Sequence, residues 1–423
     1  MKVRTRFGFL FLSITILSLS AGAQTQAKIA LLNGKWFDGN EFKDRSMYSV
    51  NGQFTSKKPG RVDKTLDLSG LWIIPPFGEA HNHNIATGVE EWDRKAIADY
   101  VRDGIFFVKI QGNLPITAEE ARSLGVNNGT GPDVIFSQGA ITASGGHPIG
   151  LIENVLLGRG YFPGYTKETL KDHRYFTIDS VSDLEKKWPA ILAMKRDFLK
   201  VMLWAADEHE ERLASPAFMF QRALDPKLLP LIISRSRVAG LRVSAHVTTA
   251  ADFRLAVEAG VDEITHLPYL GSEPITAADA FLAAKKDITV ITTAKLITWL
   301  PKNALPDRDR PGVEKAQIDN LKLLFENKAK LAIGSDNTSD TSWEEIVYLR
   351  KLGVFEDRTL LKMWTETTPR AIFPDRKIGK LADGYEANFL ALEADPLADL
   401  GNVKKIKYRF RQGVILEPVA RAN

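Results

Sequence analysis

The chain contains no cysteine. It can form no disulfide, and no lipid-anchored cysteine follows its start. Long apolar runs are missing as well. The longest candidate, Phe7 to Leu19, falls short of the roughly 20 residues a membrane-spanning helix needs. Charge of one sign does not dominate. The 56 Lys and Arg face 52 Asp and Glu, a balance that gives no support for nucleic-acid binding. No Gly-x-Gly-x-x-Gly follows an early strand, which weighs against a dinucleotide-binding open sheet. Histidine is scarce, with seven in 423 residues.

What is present is ordinary in bulk: 44% hydrophobic and 26% charged residues, enough for a large core in more than one small domain. Lys2, Arg4 and Arg6 precede the apolar run, and Ala21-Gly22-Ala23 offers a small-residue cleavage site. Residues 1–23 therefore read as a secretory signal, with an N-terminal membrane anchor as the competing reading. Its removal leaves a mature chain near neutrality. Export without cysteine fits a Gram-negative periplasm, or secretion.

The rest of the chain divides by rhythm. Residues 24–70 read as short strands, with Asn33-Gly34 and Asn51-Gly52 as turn signals. From Leu71 apolar runs alternate with helical stretches. The strands expected are Leu71–Phe77, Ile105–Ile110, Asp133–Ser137, Phe198–Leu203, Leu241–His246, Val261–His266, Ile288–Thr293 and Lys330–Ser335. Asp225-Pro226 offers a cap and an N1 proline, and Ser342-Trp343-Glu344-Glu345 has capping-box spacing. Eight such units over 71–376 predict a (β/α)₈ TIM barrel of the α/β class. Short strands return in 377–423, so both ends of the chain are expected to build one small composite β-sandwich domain. The longest interruption, Gln138 to Arg196, carries Ser144-Gly145-Gly146-His147-Pro148 and the aromatics Tyr161, Phe162, Tyr165 and Tyr175. It is expected either to shape the substrate site or to pack as a surface excursion.

Polar residues gather where barrel enzymes keep their chemistry. His81 and His83 are two apart, so an extended chain points both imidazoles the same way. Lys200 lies inside the fourth strand, among Phe198, Leu199, Val201 and Met202. His246 ends the fifth, His266 the sixth, and Asp336 follows the eighth. Nitrogen and oxygen donors of this kind suit a borderline-soft divalent metal, zinc above all.

Those ordered residues carry a resemblance. The chain is similar to the amidohydrolase superfamily of metal-dependent hydrolases, whose marks are His-x-His after strand one, lysine on strand four, histidines after strands five and six, and aspartate after strand eight. It most resembles the imidazolonepropionase-like branch, which includes exported Xaa-Pro dipeptidases. The likeness runs from about residue 28 to 413, and Gly384 to Pro396 resembles that branch's tail. Glu79, Pro76, Asn388 and Thr368-Pro369-Arg370-Ala371 depart from the usual pattern and mark a divergent member. The resemblance implies two divalent metals, with Lys200 carboxylated by carbon dioxide and bridging them. His81, His83 and Asp336 would complete one metal, and His246 and His266 the other. A shared hydroxide would attack the carbonyl, with Asp336 as general base and then acid. His147 either hydrogen-bonds the substrate or oxyanion or is a structural turn histidine, and Lys295 either pairs with a substrate carboxylate or is simply solvated.

The expected activity is hydrolysis of a non-peptide or cyclic amide C–N bond by an exported enzyme. Xaa-Pro dipeptide cleavage is the nearest alternative. A mononuclear deaminase and a catalytically silent scaffold stand behind it. The partner expected is a small-molecule substrate, with no nucleic acid, no membrane after signal cleavage, and room for a homo-oligomer.

Overall fold

A computed structural model describes residues 27–417. The expected signal, 1–23, lies outside the described residues. Parallel strands form a (β/α)₈ barrel. They are Phe77–Asn82, Ile105–Ile110, Asp133–Phe136, Phe198–Met202, Arg242–His246, Glu263–Thr265, Thr289–Ile291 and Lys330–Ala332. Each pairs in parallel with a sequence neighbour, apart from a break after the third. There Gln138 takes a left-handed φ of 58°, and the strand resumes as Ala140–Thr142, whose Ile141 pairs with Val201. Backbone bonds from Ala80 N to Ile333 O (2.8 Å) and Asp336 N to His81 O (2.8 Å) close the ring between strands eight and one.

The expected first strand is split. Trp72–Ile74 leaves the barrel and pairs with Lys35–Trp36 and with Leu390–Leu392. Pro75 and Pro76 follow at once. Neither has an N–H for a ladder, so one sheet ends there and the barrel strand starts at Phe77. Trp72–Ile74 thus sits in an eight-stranded, mostly antiparallel sheet drawn from both ends of the chain. Its far strand, Gln53–Thr55, bonds back to the other end through Phe54 N to Tyr385 O (2.8 Å). The enclosed core centres on Trp36, Phe54 and Phe389. Asn51-Gly52 is the expected tight turn, both residues at positive φ. Asn33-Gly34 is instead a bulge inside the single strand Ile29–Phe37. A Cβ at Gly34 would stand 2.9 Å from Ile73, so the close approach of two strands requires glycine there.

The helices follow local signals. Thr117, Thr249 and Thr276 cap theirs in full capping boxes, and Asp225 accepts from Lys227 N before Leu229–Val238. The capping box expected at Ser342 is not formed. Its hydroxyl donates to Gly78 O (2.9 Å) and accepts from Trp364 Nε1 (2.8 Å), because tertiary partners compete for it. The long interruption after strand three is a folded cover whose Ile152, Phe162, Leu170 and Tyr175 share a small core with Leu114, which follows strand two. Phe162 and Tyr175 therefore pack, whereas Tyr161 meets Trp92 edge-on at 4.8 Å.

Candidate metal centre

Glu79 and His81 lie on one face of the first strand, two residues apart, and both point into the barrel. His81 is buried. His83 follows the strand's end, and its Nδ1 meets Gly112 O at 3.0 Å. A carbonyl can only accept, so Nδ1 carries the proton and Nε2 keeps its lone pair. The Nε2 atoms of His81 and His83 are 3.2 Å apart, and each is 3.4 Å from Asp336 Oδ1. One atom from each of these three residues lies within 4.8 Å of the others, a spacing suited to one metal ion.

His266 and His246 stand on the neighbouring strands. Their ring centroids are 4.4 Å apart, and His266 lies 4.7 Å from His81. His266 Nδ1 meets Thr293 Oγ1 at 2.8 Å and approaches Asp336 Oδ2 at 3.9 Å. His246 Nε2 meets Tyr269 OH at 3.2 Å. Lys200 is buried and donates to Thr265 Oγ1. Among the described residues no carboxylate lies within ion-pair distance of it. All six residues expected from the sequence therefore face one end of the barrel. His147 is there too, stacked on His246 at 4.9 Å and beside Trp204 at 4.5 Å. Lys295 is not free as expected: its ammonium is held by Glu344, 49 residues on, which competes for the charge.

The electrostatics favour metal-ready donors. Burial first, then the nearby Lys200 and imidazoles, hold His81 well below the ordinary histidine range. Burial and charged neighbours do the same to His246 and His266. These rings are therefore neutral, the form that binds metal. Burial brings Lys200 down to about 7, against a weaker upward pull from Asp336, so its amine can lose its proton near neutrality. The donor set fits a divalent ion of the zinc type. His81 Nδ1 is buried with no hydrogen-bond partner, an orphan among these donors.

The backbone is bent to make this arrangement. Ala205, His266, Thr293 and Asp336 all have positive φ (46°, 80°, 42° and 49°), at the ends of strands four, six, seven and eight. Each such residue costs of order 1–3 kcal/mol, and such strain clusters at functional sites. Glu79 departs from the usual pattern and stands outside the expected ligand set. It is buried and accepts from Ser335 N (2.9 Å), Ser335 Oγ (2.7 Å) and His81 N (3.2 Å). Burial raises its carboxyl to about 8. Asn82 adds bonds to Ser335 Oγ (3.0 Å) and Asn337 O (2.9 Å). Together they fix the turn that presents Asp336. The two-residue spacing of Glu79 and His81 was the available signal.

A barrel with this donor cluster at the C-terminal ends of its strands has the architecture in which barrel hydrolases hold metal ions. The chain belongs to the amidohydrolase family, whose model matches residues 176–416. It is 24% identical over 297 residues to the ochratoxinase of Aspergillus niger, an alignment covering 65% of this chain and 58% of that protein. The crystal structure of A. niger ochratoxinase superposes with a TM-score of 0.72 at 16% identity, covering 92% of this chain and 96% of that one. A prolidase complexed with N-methylphosphonate-L-proline gives 0.70 at 16%, covering 92% and 100%. Molinate hydrolase gives 0.72 at 14%, covering 93% and 95%. At these identities the structures speak for a shared fold.

Proposed function

We propose that this amidohydrolase is an exported hydrolase of a non-peptide or cyclic amide C–N bond, using two divalent metals, most simply zinc. The observation that carries the reading is the convergence of His81, His83 and Asp336 within 4.8 Å, with neutral His246, His266 and a low-pKa Lys200 beside them. His81, His83 and Asp336 would hold one ion, and His246 and His266 the other. Lys200, as a carbamate formed from carbon dioxide, would belong to both. Bound divalent ions supply a Lewis acid for the scissile carbonyl and acidify the attacking water.

The chain's own groups do the rest. Asp336 accepts the proton of the attacking water and returns it to the leaving nitrogen, a general base turned acid. The water oxygen bonds to the carbonyl carbon, the C–N bond breaks, and a carboxylic acid and an amine leave. His147, over His246, would donate to the developing oxyanion. Burial and the neighbouring charges bring it down to about 3, so it acts as a neutral donor. Glu79 and Asn82 hold the Asp336 turn. Small molecules are the substrates proposed, and a periplasmic or secreted location is proposed on the signal-like sequence of residues 1–23.

Xaa-Pro dipeptide cleavage is the second reading, favoured by the prolidase among the similar folds. The test is metal analysis of the mature protein with a hydrolysis screen. The screen covers N-acyl amino acids, Xaa-Pro dipeptides, lactams and lactones. Two metals per chain and amide turnover are expected. One metal with deamination overturns the binuclear reading, and no metal with no turnover leaves the silent scaffold.

A further inference from the structure

A cavity of about 300 Å³ lies between helix Glu90–Arg102 and the turn that follows Asp336. That volume stands at the lower end of the range for small-ligand sites and suits a single ring. Trp92 and Ala96 line it from one face of the helix, being four residues apart. Asn84 lines it from the stretch after His83, Tyr161 from the cover, and Thr338 to Thr341 from the turn. None of the metal donors lines it, so it is a different space from the metal centre.

The lining selects a ligand. Asn84 is only 6% exposed, and its Oδ1 accepts from Tyr100 OH at 2.9 Å. Its Nδ2 makes no hydrogen bond among the described residues, yet it is not sealed from solvent. The little exposure Asn84 keeps is thus at a free donor facing the cavity it lines. A nearly buried donor without a partner favours an occupant with an acceptor. Trp92 is 39% exposed and meets Tyr161 at 4.8 Å and 61°. Two rings at that angle offer a face and an edge to a third. Charge at the rim is largely cancelled, since Lys95 pairs with Asp99 at 2.6 Å. Among the described residues Asp340 has no cation, only Asn337 Nδ2 at 3.2 Å, and its carboxylate repels anions.

We propose that this cavity is an effector site for a small uncharged aromatic molecule bearing a hydrogen-bond acceptor, and that its occupant stiffens the turn carrying Asp336. The acceptor meets Asn84, and the ring lies against Trp92 and Tyr161. The turn is already tied on its inner side: Asn82, between the two ligand histidines, donates to Asn337 O at 2.9 Å. An occupant against Thr338 to Thr341 braces the same turn from the helix side. The cover is fastened to this rim too, through Phe162 N to Thr87 O at 3.2 Å and the Tyr161–Trp92 contact. A ligand that binds the ordered turn better than a displaced one shifts the population toward order. The inference does not depend on which bond the enzyme cleaves.

The probe is p-cresol, an aromatic ring with one hydroxyl, titrated calorimetrically into the metal-loaded protein. A Kd of roughly 0.1–1 mM is expected for a ligand of about eight non-hydrogen atoms. 4-Methylcyclohexanol keeps the skeleton and hydroxyl without the aromatic ring, and should bind about 2- to 10-fold more weakly. Ala96→Leu fills the cavity and should abolish binding. Trp92→Ala, at an exposed side chain, takes its place if that variant does not fold. Hydrogen exchange read by mass spectrometry should slow over residues 84–96 and 337–341 when p-cresol is added, and stay unchanged over 246–266. Unchanged affinity in the variants, or protection around His246 and His266 instead, puts the ligand elsewhere and overturns the site. Equal binding of the two alcohols overturns the aromatic class. Binding without slowed exchange over 337–341 overturns the effector role. An absence of binding up to the solubility of p-cresol overturns the proposal outright.

Discussion

Two lysines share the barrel interior and could hardly differ more in circumstance. Lys109, on strand two, and Lys200, on strand four, are both fully buried. Lys109 is the fifth of six residues in its strand, and its ammonium reaches the residues that open strands four and six. Its ammonium pairs with Glu263, whose other oxygen takes Arg242 at 2.5 Å, and it sits 3.9 Å above the ring of Phe198. Burial lowers it to about 8, with Glu263 resisting. Lys200, toward the C-terminal end, has a threonine hydroxyl as its partner and falls to about 7. A paired lysine keeps its proton and holds strands together. An unpaired one is free to give up its proton and become a ligand. One layer of the barrel is thus satisfied and structural, and the next is left reactive.

The sharpest way to break this contrast is Lys200→Ala. If Lys200 bridges two metals, the variant should drop from two metals toward one per chain and lose turnover to background. Added acetate or propionate should restore part of both by supplying an oxygen pair in the vacated space. Full metal and full turnover in the variant would make the site mononuclear and leave Lys200 as idle as a core residue.

Asp336→Asn should keep much of the metal, since the amide still offers an oxygen, while kcat falls by about 10²–10⁴-fold, the usual worth of acid–base catalysis. Activity within a few-fold of the parent removes Asp336 from proton transfer.

Lys109→Met tests the opposite layer. It strands Glu263 as a buried, half-paired charge, and removing one partner of a buried pair costs about 3–5 kcal/mol. Denaturant unfolding should show that loss, with metal content unchanged. The double change Lys109→Met with Glu263→Leu should recover part of it, because a packed apolar pair can replace a buried ion pair, although the 31% exposed Arg242 then loses its carboxylate. Metal loss in the single variant would erase the division between the layers.

The smallest effect is expected from Glu79→Gln. The amide oxygen can keep the two backbone bonds made to Oε1, while the Ser335 hydroxyl loses the acceptor it has in Oε2. Residues supporting ligands typically change activity by about 10–100-fold. A kcat reduced near the low end of that range, with metal retained, would mark Glu79 as positioning Asp336. An unchanged kcat would make it packing alone.

Much of the centre was legible in the sequence because metal ligands are few in kind and barrel strands repeat. His81, His83, His246, His266 and Asp336 could be ordered along the strands from apolar runs alone, and the lysine stood out by its apolar neighbours. Glu79 was visible as a departure from the usual pattern, but its bonding depends on Ser335, 256 residues away. The pairing of Lys295 was hidden for the same reason: Glu344 is remote in sequence and near in space. The split of Leu71–Phe77 was written in Pro75-Pro76, but which sheet each half joins depended on partners at both ends of the chain.

The sequence by itself determined the alternation of strands and helices, the order of the donors and the caps at Thr117, Thr249 and Thr276. These depend on neighbours within a few residues, where periodicity and hydrogen bonding to the nearest backbone decide. Tertiary structure alone decided that Lys109 is paired and Lys200 is not, that Ser342 bonds across the barrel rather than capping its own helix, and that Arg174 is buried without a counter-charge. Desolvation and pairing are properties of the volume around a group, and residues hundreds of positions apart supply that volume.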